Sequence, residues 1–258
     1  MFDQMVPLSV ERHAKQRVRH STSLRFARKF HIAYITLHEF TRAGAIYPLV
    51  FVADKQTGGY RSVALMGLSA GENLFVNETG RWQASYIPAM IRRYPFALSQ
   101  SKDSDQFIVC VDESSSLLSE SEGAPLFDDQ GQATETLENV KRYLSELQAM
   151  DRATRGLCAF LQAHDLLVPF NLRVNASAQL RKIDGCLVVS EERFNALPDE
   201  VIAEMRQKRY LAAVYAHLMS LAQVERLVEL NRRRDATAPG RKRKPTVRHV
   251  NRAPSATH

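Results

Sequence analysis

The chain has 258 residues, of which 45% are hydrophobic and 24% charged, and this is enough for a domain with a buried core. Its three cysteines exclude a disulfide framework, and they lack the C-x-x-C spacing of a zinc ribbon or redox pair, so reduced thiols fit best. The formal net charge of +7 indicates a nucleic-acid or membrane-surface partner only if the charge lies within the folded domain.

The charge is distributed unevenly along the chain. Residues 1–31 have seven Lys and Arg against two Asp and Glu, and residues 232–258 have nine against one. Residues 32–231 have 19 against 25, which leaves them with a net charge of −6. The sequence therefore predicts an acidic domain over residues 31–231, preceded by a basic N-terminal arm, residues 1–30, and followed by a basic disordered tail.

The ends of the chain also bear on location and partners. The N-terminus lacks the apolar stretch of a secretory signal peptide, and no run approaches the roughly 20 apolar residues that span a bilayer. We therefore expect a cytoplasmic protein without a membrane span, which reaches the cell surface only by another export route. The tail, residues 232–258, has no aromatic residue for base stacking, so it is either a solubilising segment or a salt-sensitive contact for nucleic acid, lipid or protein.

The first predicted elements are a strand over residues 32–37 and a helix or turn over residues 38–45. Thr36 and Glu39 have the T-x-x-E spacing of a capping box, in which each side chain accepts a hydrogen bond from the backbone at the other residue. Two apolar runs separated by a Gly58-Gly59 turn then predict an antiparallel hairpin, over residues 49–52 and 60–68.

Short strands, turns and one helix follow. A strand and turn over residues 73–80 and a short helix over residues 87–94, ended by Pro95, precede a buried strand over residues 107–111. Residues 112–133 are rich in Ser, Asp, Glu and Gly, which is typical of a loop.

The longest helical pattern runs over residues 136–167, where apolar residues recur at steps of three and four. Residues 172–174 and 186–189 are expected to pair as antiparallel strands. Ser190 then caps a helix, and a last helical region ends the ordered chain near Asn231. The sequence thus predicts a single α+β domain with a mainly antiparallel sheet, a long central helix and C-terminal helices.

Histidines supply the candidate chemistry. His31, His38 and Glu39 lie near a predicted strand-to-helix junction, and with the distant His217 they have the donor set of a two-His, one-carboxylate iron oxygenase. No H-x-D or H-E-x-x-H spacing places two ligands on one face, and Glu39 already has a capping role. His217 lies in an apolar helical stretch, where it is either a hydrogen-bonded core residue or a catalytic base. We therefore predict no cofactor and no catalytic residue.

The most distinctive feature is the density of aromatic, proline and arginine residues between positions 47 and 96. Rings and arginines of this kind are enriched in interfaces because they bury much area at low entropy cost. Core packing explains most of the rings equally well. The residues predicted to bind a protein or peptide are Trp82, Tyr86, Arg92, Arg93, Tyr94 and Phe96.

Several of these segments resemble the SapC family of bacterial proteins. The resemblance covers most of residues 31–230 and is carried by residues 31–40 (HIAYITLHEF), 47–51 (YPLVF), 64–68 (ALMGL), 71–76 (GENLFV), 80–82 (GRW), 86–88 (YIP), 92–96 (RRYPF), 183–189 (IDGCLVV) and 216–221 (AHLMSL). The basic tail lies outside it.

The resemblance implies a role related to the surface layer, because the family takes its name from a protein associated with a bacterial paracrystalline surface layer. It also implies an accessory role, since members of the family look like companion proteins of halogenase-like and oxygenase-like proteins that modify peptides. The expectation is a non-catalytic accessory protein that binds a protein or peptide. The alternative is an iron-dependent oxygenase-like enzyme, and the oligomeric state stays open.

Overall fold

Antiparallel strands and one long helix form the framework of the structure. A computed structural model describes residues 2–55, 57–100, 107–170, 172–176 and 179–237. The strands are β1 (Met5–Pro7), β2 (Arg17–Val18), β3 (Ile32–Tyr34), β4 (Leu49–Ala53), β5 (Tyr60–Leu65), β6 (Phe96–Gln100), β7 (Phe107–Asp112), β8 (Leu118–Ser119), β9 (Ala124–Pro125), β10 (Leu167–Pro169), β11 (Leu172–Ala176), β12 (Gln179–Ile183) and β13 (Cys186–Val189). The helices are α1 (Val10–His13), α2 (Phe40–Gly44), α3 (Ala89–Arg92), α4 (Glu135–Ala163), α5 (Glu191–Asn195), α6 (Asp199–Gln207), α7 (Tyr210–Ser220) and α8 (Gln223–Thr237), with 3-10 turns at Arg25–Lys29 and Leu37–Glu39.

The largest sheet has five antiparallel strands in the order β10-β13-β4-β5-β3. β4 and β5 form the predicted hairpin, with Val50 opposite Val63. Leu49, Val50 and Phe51 are all buried. Because successive side chains of a strand point to opposite faces, other parts of the molecule must cover this strand on both sides.

The smaller sheets include the N-terminal residues. β1 pairs with β7, which pairs with β6, and β2 lies between β8 and β9. Residues 1–30, which the charge pattern sets apart as a basic arm, thus contribute strands to two sheets.

Helix α4 connects two apolar clusters. Near its start, Leu137 and Leu144 pack in a smaller cluster with Phe96 and Val111. Near its end, residues 157–161 pack in the larger cluster beneath the five-stranded sheet. With 29 residues, α4 is about 43 Å long, so it spans the boundary between the clusters. The structure therefore confirms the α+β class, the antiparallel sheets, the long central helix and the C-terminal helices.

The C-terminal helices pack against the large sheet through close contacts. At Gly44 of α2, an added Cβ would lie 2.9 Å from the Ala216 carbonyl oxygen of α7, so a side chain there would push the helices apart. The Ser220 hydroxyl accepts a hydrogen bond from the Leu49 N–H at 3.0 Å and donates to the His217 carbonyl at 2.6 Å. Across the part of the chain that the structure describes, no helix is both long enough and apolar enough to cross a membrane.

One predicted strand pairing is wrong. β11 pairs with β12, whereas β13 lies between β10 and β4. β12 follows β11 closely in sequence, so a local hairpin forms, and the apolar β13 joins the large sheet.

Three predicted elements differ in extent. Residues 73–76 form no continuous strand but a single bridge from Val76 to Trp82. The helix predicted over residues 87–94 is only the four-residue α3. α4 ends at Ala163 because Asp165, with a φ of 53°, has a left-handed backbone conformation that a helix cannot continue through.

At the other end, α8 extends to Thr237, beyond the predicted end near Asn231. Most of the predicted tail, residues 238–258, lies outside the described residues.

Candidate functional site

Three of the six predicted binding residues have their side chains in the interior. Tyr86 and Phe96 are buried, and Phe96 belongs to the smaller cluster. Trp82 is half-buried, and its indole N–H donates to the Tyr86 carbonyl at 2.9 Å and to the Tyr47 hydroxyl at 3.1 Å. These rings therefore pack as part of the core, which was the other interpretation of the aromatic density.

The remaining three, Arg92, Arg93 and Tyr94, line a groove beside the first half of α4, to which the buried Phe96 also contributes. We call this cavity of about 590 Å³ the α4 groove. Its walls are formed by residues 18–26, residues 87–96 and the α4 residues from Thr136 to Leu144, together with Leu117. Apolar and aromatic side chains on these walls include Leu24, Phe26, Ile87, Val140 and Tyr143.

Arg92 is exposed at the edge of the groove, but its position is well defined. Its Nε–H donates to the Ile87 carbonyl at 3.0 Å. Its guanidinium carbon lies 5.8 Å from the ring centroid of Tyr86 and 5.7 Å from that of Tyr143. Because cation–π contacts and a hydrogen bond hold the side chain, it would lose little freedom on binding a partner.

Tyr94 forms an aromatic stack with residues of the N-terminal segment. Its ring lies 4.0 Å from that of Phe26 and 5.8 Å from that of Phe2. The Arg93 guanidinium lies 5.3 Å from the Phe2 ring. Rings that already stack on one another within the protein have less surface left for a ligand, so here Tyr94 mainly shapes the groove.

Glu39 positions the segment that contains α3. Its Oε2 accepts hydrogen bonds from the Thr36 N–H at 2.9 Å and the Thr36 hydroxyl at 2.8 Å. The first of these bonds, with the Thr36 side chain accepting from the backbone of Glu39, forms the predicted capping box. Its Oε1 accepts from the Tyr86 hydroxyl at 2.6 Å and from the Ala89 N–H at 2.8 Å. Burial and this bond to Glu39 raise the pKa of Tyr86 to about 12. Glu39 thus has four donors around it and acts as a structural anchor for α3.

A second anchor joins α3 to the central helix. The Tyr143 hydroxyl of α4 donates to the Ala89 carbonyl at 3.1 Å. Thr154, farther along α4, accepts from the Leu37 N–H at 2.7 Å through its hydroxyl. The wall formed by residues 87–96 is therefore attached to α4 and to the turn that contains Glu39.

The structure does not bring His31, His38, Glu39 and His217 together as a metal site. His38 is exposed, whereas His217 is fully buried and its Nε2 accepts from the Val189 N–H at 3.0 Å. Burial lowers the pKa of His217 to about 4. Among the described residues, no three or more His, Cys, Asp or Glu side chains are grouped to hold a metal ion. The donor set proposed for an iron oxygenase is therefore not assembled, and His217 is a hydrogen-bonded core histidine.

The groove residues of the N-terminal segment and of α4 were not predicted from the sequence as binding residues. Leu24 and Phe26 belong to the segment that was set apart by its charge. On α4, Val140, Tyr143 and Leu144 have the three- and four-residue spacing of one helix face. A tyrosine within this apolar stripe was the available sign of a binding surface. The residues of other elements that line the groove with it could not be inferred from spacing.

Comparison with known proteins gives one match. A family model described as SapC matches residues 8–227, which include every wall of the α4 groove. No curated protein and no solved structure matches the chain.

Proposed function

Since the chain belongs to the SapC family, we propose that it is a non-catalytic accessory protein that binds a protein or peptide partner in the α4 groove. The observation that carries the proposal is the groove itself, about 590 Å³ in volume, which combines apolar walls with a fixed, exposed arginine. Pockets of roughly 300–1,000 Å³ with a few placed polar groups are typical ligand sites.

The groove suits a segment of polypeptide. Its apolar part, near Val140 and Ile87, can take the side chains of two or three residues, and Arg92 at its edge can bind a backbone carbonyl or a carboxylate. Arginine and aromatic residues are enriched among the interface residues that contribute most to the binding free energy. Because two anchors hold the wall around α3, binding would require little reorganisation.

The finer parts of the proposal come from the family alone. A role related to a bacterial surface layer, and an association with halogenase-type or oxygenase-type peptide modification, are implied by SapC membership. The cytoplasmic location is an expectation from the sequence. Identification of the partner would test all three.

The test compares partners recovered by affinity purification from the cells that produce the protein. The groove variant carries Arg92→Glu and Asn139→Trp, which reverse the charge at the edge and fill the space beside α4. The control variant is Arg206→Glu, since Arg206 is an exposed arginine of α6 away from the groove. Quantitative mass spectrometry should show the same partners with the wild type and the control, and their loss with the groove variant.

A purified partner then permits a direct measurement. Calorimetric titration should show affinity at least about tenfold weaker for the groove variant than for the control. Equal affinity of the two variants, with both folded by circular dichroism, would show that the partner binds elsewhere.

A further inference from the structure

A second cavity lies next to the α4 groove along the same helix. It has a volume of about 410 Å³, and its lining shares Arg93 and Leu144 with that of the groove. Its walls come from β3, β5, the α3 segment, β6, β7 and the middle of α4, so it occupies the boundary between the five-stranded sheet and the sheet that contains β6 and β7. Because it is lined by several arginines, we call it the arginine cleft.

Four arginines line the arginine cleft against a single acid, Asp151. They are Arg61 of β5, Arg93, and Arg152 and Arg155 of α4. Residues 32–231 as a whole have more acids than bases, 25 against 19, so this concentration of cations runs against the charge of the surrounding chain. Such a local excess in a cavity attracts anions and concentrates them at its surface.

Asp151 does not balance the charge. Its Oδ2 accepts from the Nε–H and the terminal N–H of Arg155 at 2.9 and 2.6 Å, and it lies 3.9 Å from a terminal nitrogen of Arg61. The Nε–H of Arg61 donates to Asp54 at 2.9 Å, and its guanidinium lies 4.8 Å from the Tyr34 ring. The carboxylates therefore hold Arg61 and Arg155 in place while several of their N–H donors stay available.

The other two arginines have no such partner. Arg152 is exposed, and its guanidinium makes no hydrogen bond or ion pair with any other residue that the structure describes. Arg93 is half-buried, and its Nε has no acceptor within the described ranges. Burial lowers the pKa of Arg93 from its ordinary value, so an incoming carboxylate would relieve an unfavourable charge.

The lining of the arginine cleft also has an apolar part. Met90, Leu98 and Leu147 line it, and Phe107 at its edge is 44% exposed. A small inorganic ion would contact the arginines and leave this surface unused. A ligand that carries carboxylates on an apolar chain, such as Asp and Glu side chains of a polypeptide, would use both.

The length of the combined site agrees with an extended segment. From Thr136 to Arg155, α4 rises by about 28 Å, which an extended chain spans with about nine residues. Bound along α4, one end of such a segment would meet the apolar wall of the groove and the other end the arginines.

We propose that the arginine cleft binds the carboxylates of the same partner segment whose apolar end occupies the α4 groove. The ligand is therefore an extended acidic peptide segment, with apolar residues at one end and Asp or Glu at the other. This inference rests on the proposed function, because it assumes that a polypeptide occupies the groove.

The test is a selection from a random nine-residue peptide library on the immobilised full-length protein. We expect the wild type to enrich peptides with an apolar cluster at one end and several acids at the other. The cleft variant, Arg152→Gln with Arg155→Gln, should enrich the apolar cluster and lose the acids, whereas the control Arg206→Gln should behave as the wild type. Thermal denaturation checks that each variant is folded.

The outcomes separate the two proposals. Enrichment of apolar peptides without acids by the wild type would leave the proposed function standing and overturn the arginine cleft as a carboxylate site. Retention of the acids by the cleft variant would likewise overturn it. Failure of the wild type to enrich any peptide beyond the level of the groove variant would contradict the proposed function itself.

An enriched peptide, labelled with fluorescein, then gives the size of the effect. Fluorescence anisotropy should show binding about tenfold weaker to the cleft variant than to the control, with a shallower dependence on salt. Displacement of the peptide by a 20-nucleotide single strand as readily as by the unlabelled peptide would overturn the assignment to an acidic polypeptide, in favour of a general polyanion site.

Discussion

The segment around α3 contributes to two neighbouring regions that differ in how their polar groups are satisfied. In the inner region, the N–H groups of Trp82 and Ala89 and the hydroxyl of Tyr86 all donate to buried acceptors. In the outer region, formed by the α4 groove and the arginine cleft, Arg92 and Arg93 have no carboxylate at ion-pair distance within the described residues. These polar groups of the inner region have their hydrogen-bond partners within the protein, whereas the arginines of the outer region can pair with the carboxylates of a binding partner.

The difference indicates how a dense aromatic stretch should be interpreted. Rings whose polar atoms have partners inside the protein stabilise the fold, and cations that remain unpaired at a cavity are the better candidates for binding. Variants of the inner region should therefore act mainly on the free energy of unfolding rather than on partner affinity. Variants of the outer region should do the reverse.

The largest effect is expected for Glu39→Gln in the inner region. Four donors surround the Glu39 carboxylate, so an amide in its place must direct its NH₂ group at one pair of them, however it is turned. We expect the free energy of unfolding, measured in urea, to fall by about 3 kcal/mol or more. Glu138→Gln, which removes only an exposed pair with Lys141, serves as control and should change little. Equal effects of the two substitutions would refute the anchoring role of Glu39.

The second effect is a pH dependence from His217, whose pKa burial lowers to about 4. Unfolding returns the imidazole to water and to its ordinary pKa of 6.5. Between about pH 4 and pH 6.5 the unfolded state therefore binds a proton that the folded state does not bind. This contribution to stability is complete above about pH 6.5 and is lost as the pH falls through about 4, which amounts to about 3 kcal/mol. The free energy of unfolding, measured in urea at several pH values over this range, should rise more steeply with pH for the wild type than for His217→Gln. The same pH dependence in both proteins would contradict this prediction.

A smaller effect is expected at Trp82. Trp82→Phe keeps a ring between Phe75 and the surrounding residues but removes the N–H that donates to Tyr86. The Tyr47 hydroxyl also donates to the Tyr86 carbonyl, so that acceptor remains satisfied. We therefore expect a loss of about 1 to 2 kcal/mol in the free energy of unfolding and no change in partner affinity. A loss of partner affinity without a loss in the free energy of unfolding would show that Trp82 belongs to the outer region.

Local signals in the sequence predicted the inner region better than the outer one. The T-x-x-E pattern at Thr36 and Glu39 and the cap at Ser190 depend on residues three apart, and both form in the structure. By contrast, the pairing of β11 and β13 was wrong, because several apolar strands could pair and their spacing does not choose among them. The same limit applied to Glu39 itself, whose contacts with Tyr86 and Ala89 join residues far apart in sequence.

The outer region depends almost wholly on such distant contacts. Arg61, Arg93 and Arg152 come from different elements, and nothing in their spacing indicates that they line one cavity. The overall charge was misleading as well, since it arises from the two ends of the chain, whereas the cationic cavity lies within residues 32–231, where acids outnumber bases. A sequence shows which arginines exist, but only the packing of α4 between the two sheets shows which of them meet.

The smallest predicted effect separates charge from geometry at Arg92. Arg92→Lys keeps the positive charge, but an ammonium cannot hydrogen-bond to the Ile87 carbonyl and also present a flat face to the Tyr86 and Tyr143 rings. If the fixed geometry of Arg92 matters for binding, partner affinity should fall about threefold to fivefold with lysine, and further with Arg92→Gln. The free energy of unfolding should hardly change, because the side chain is exposed. Full affinity with lysine would mean that the outer region offers only charge, and that the rings beneath Arg92 belong, like Trp82, to the inner region alone.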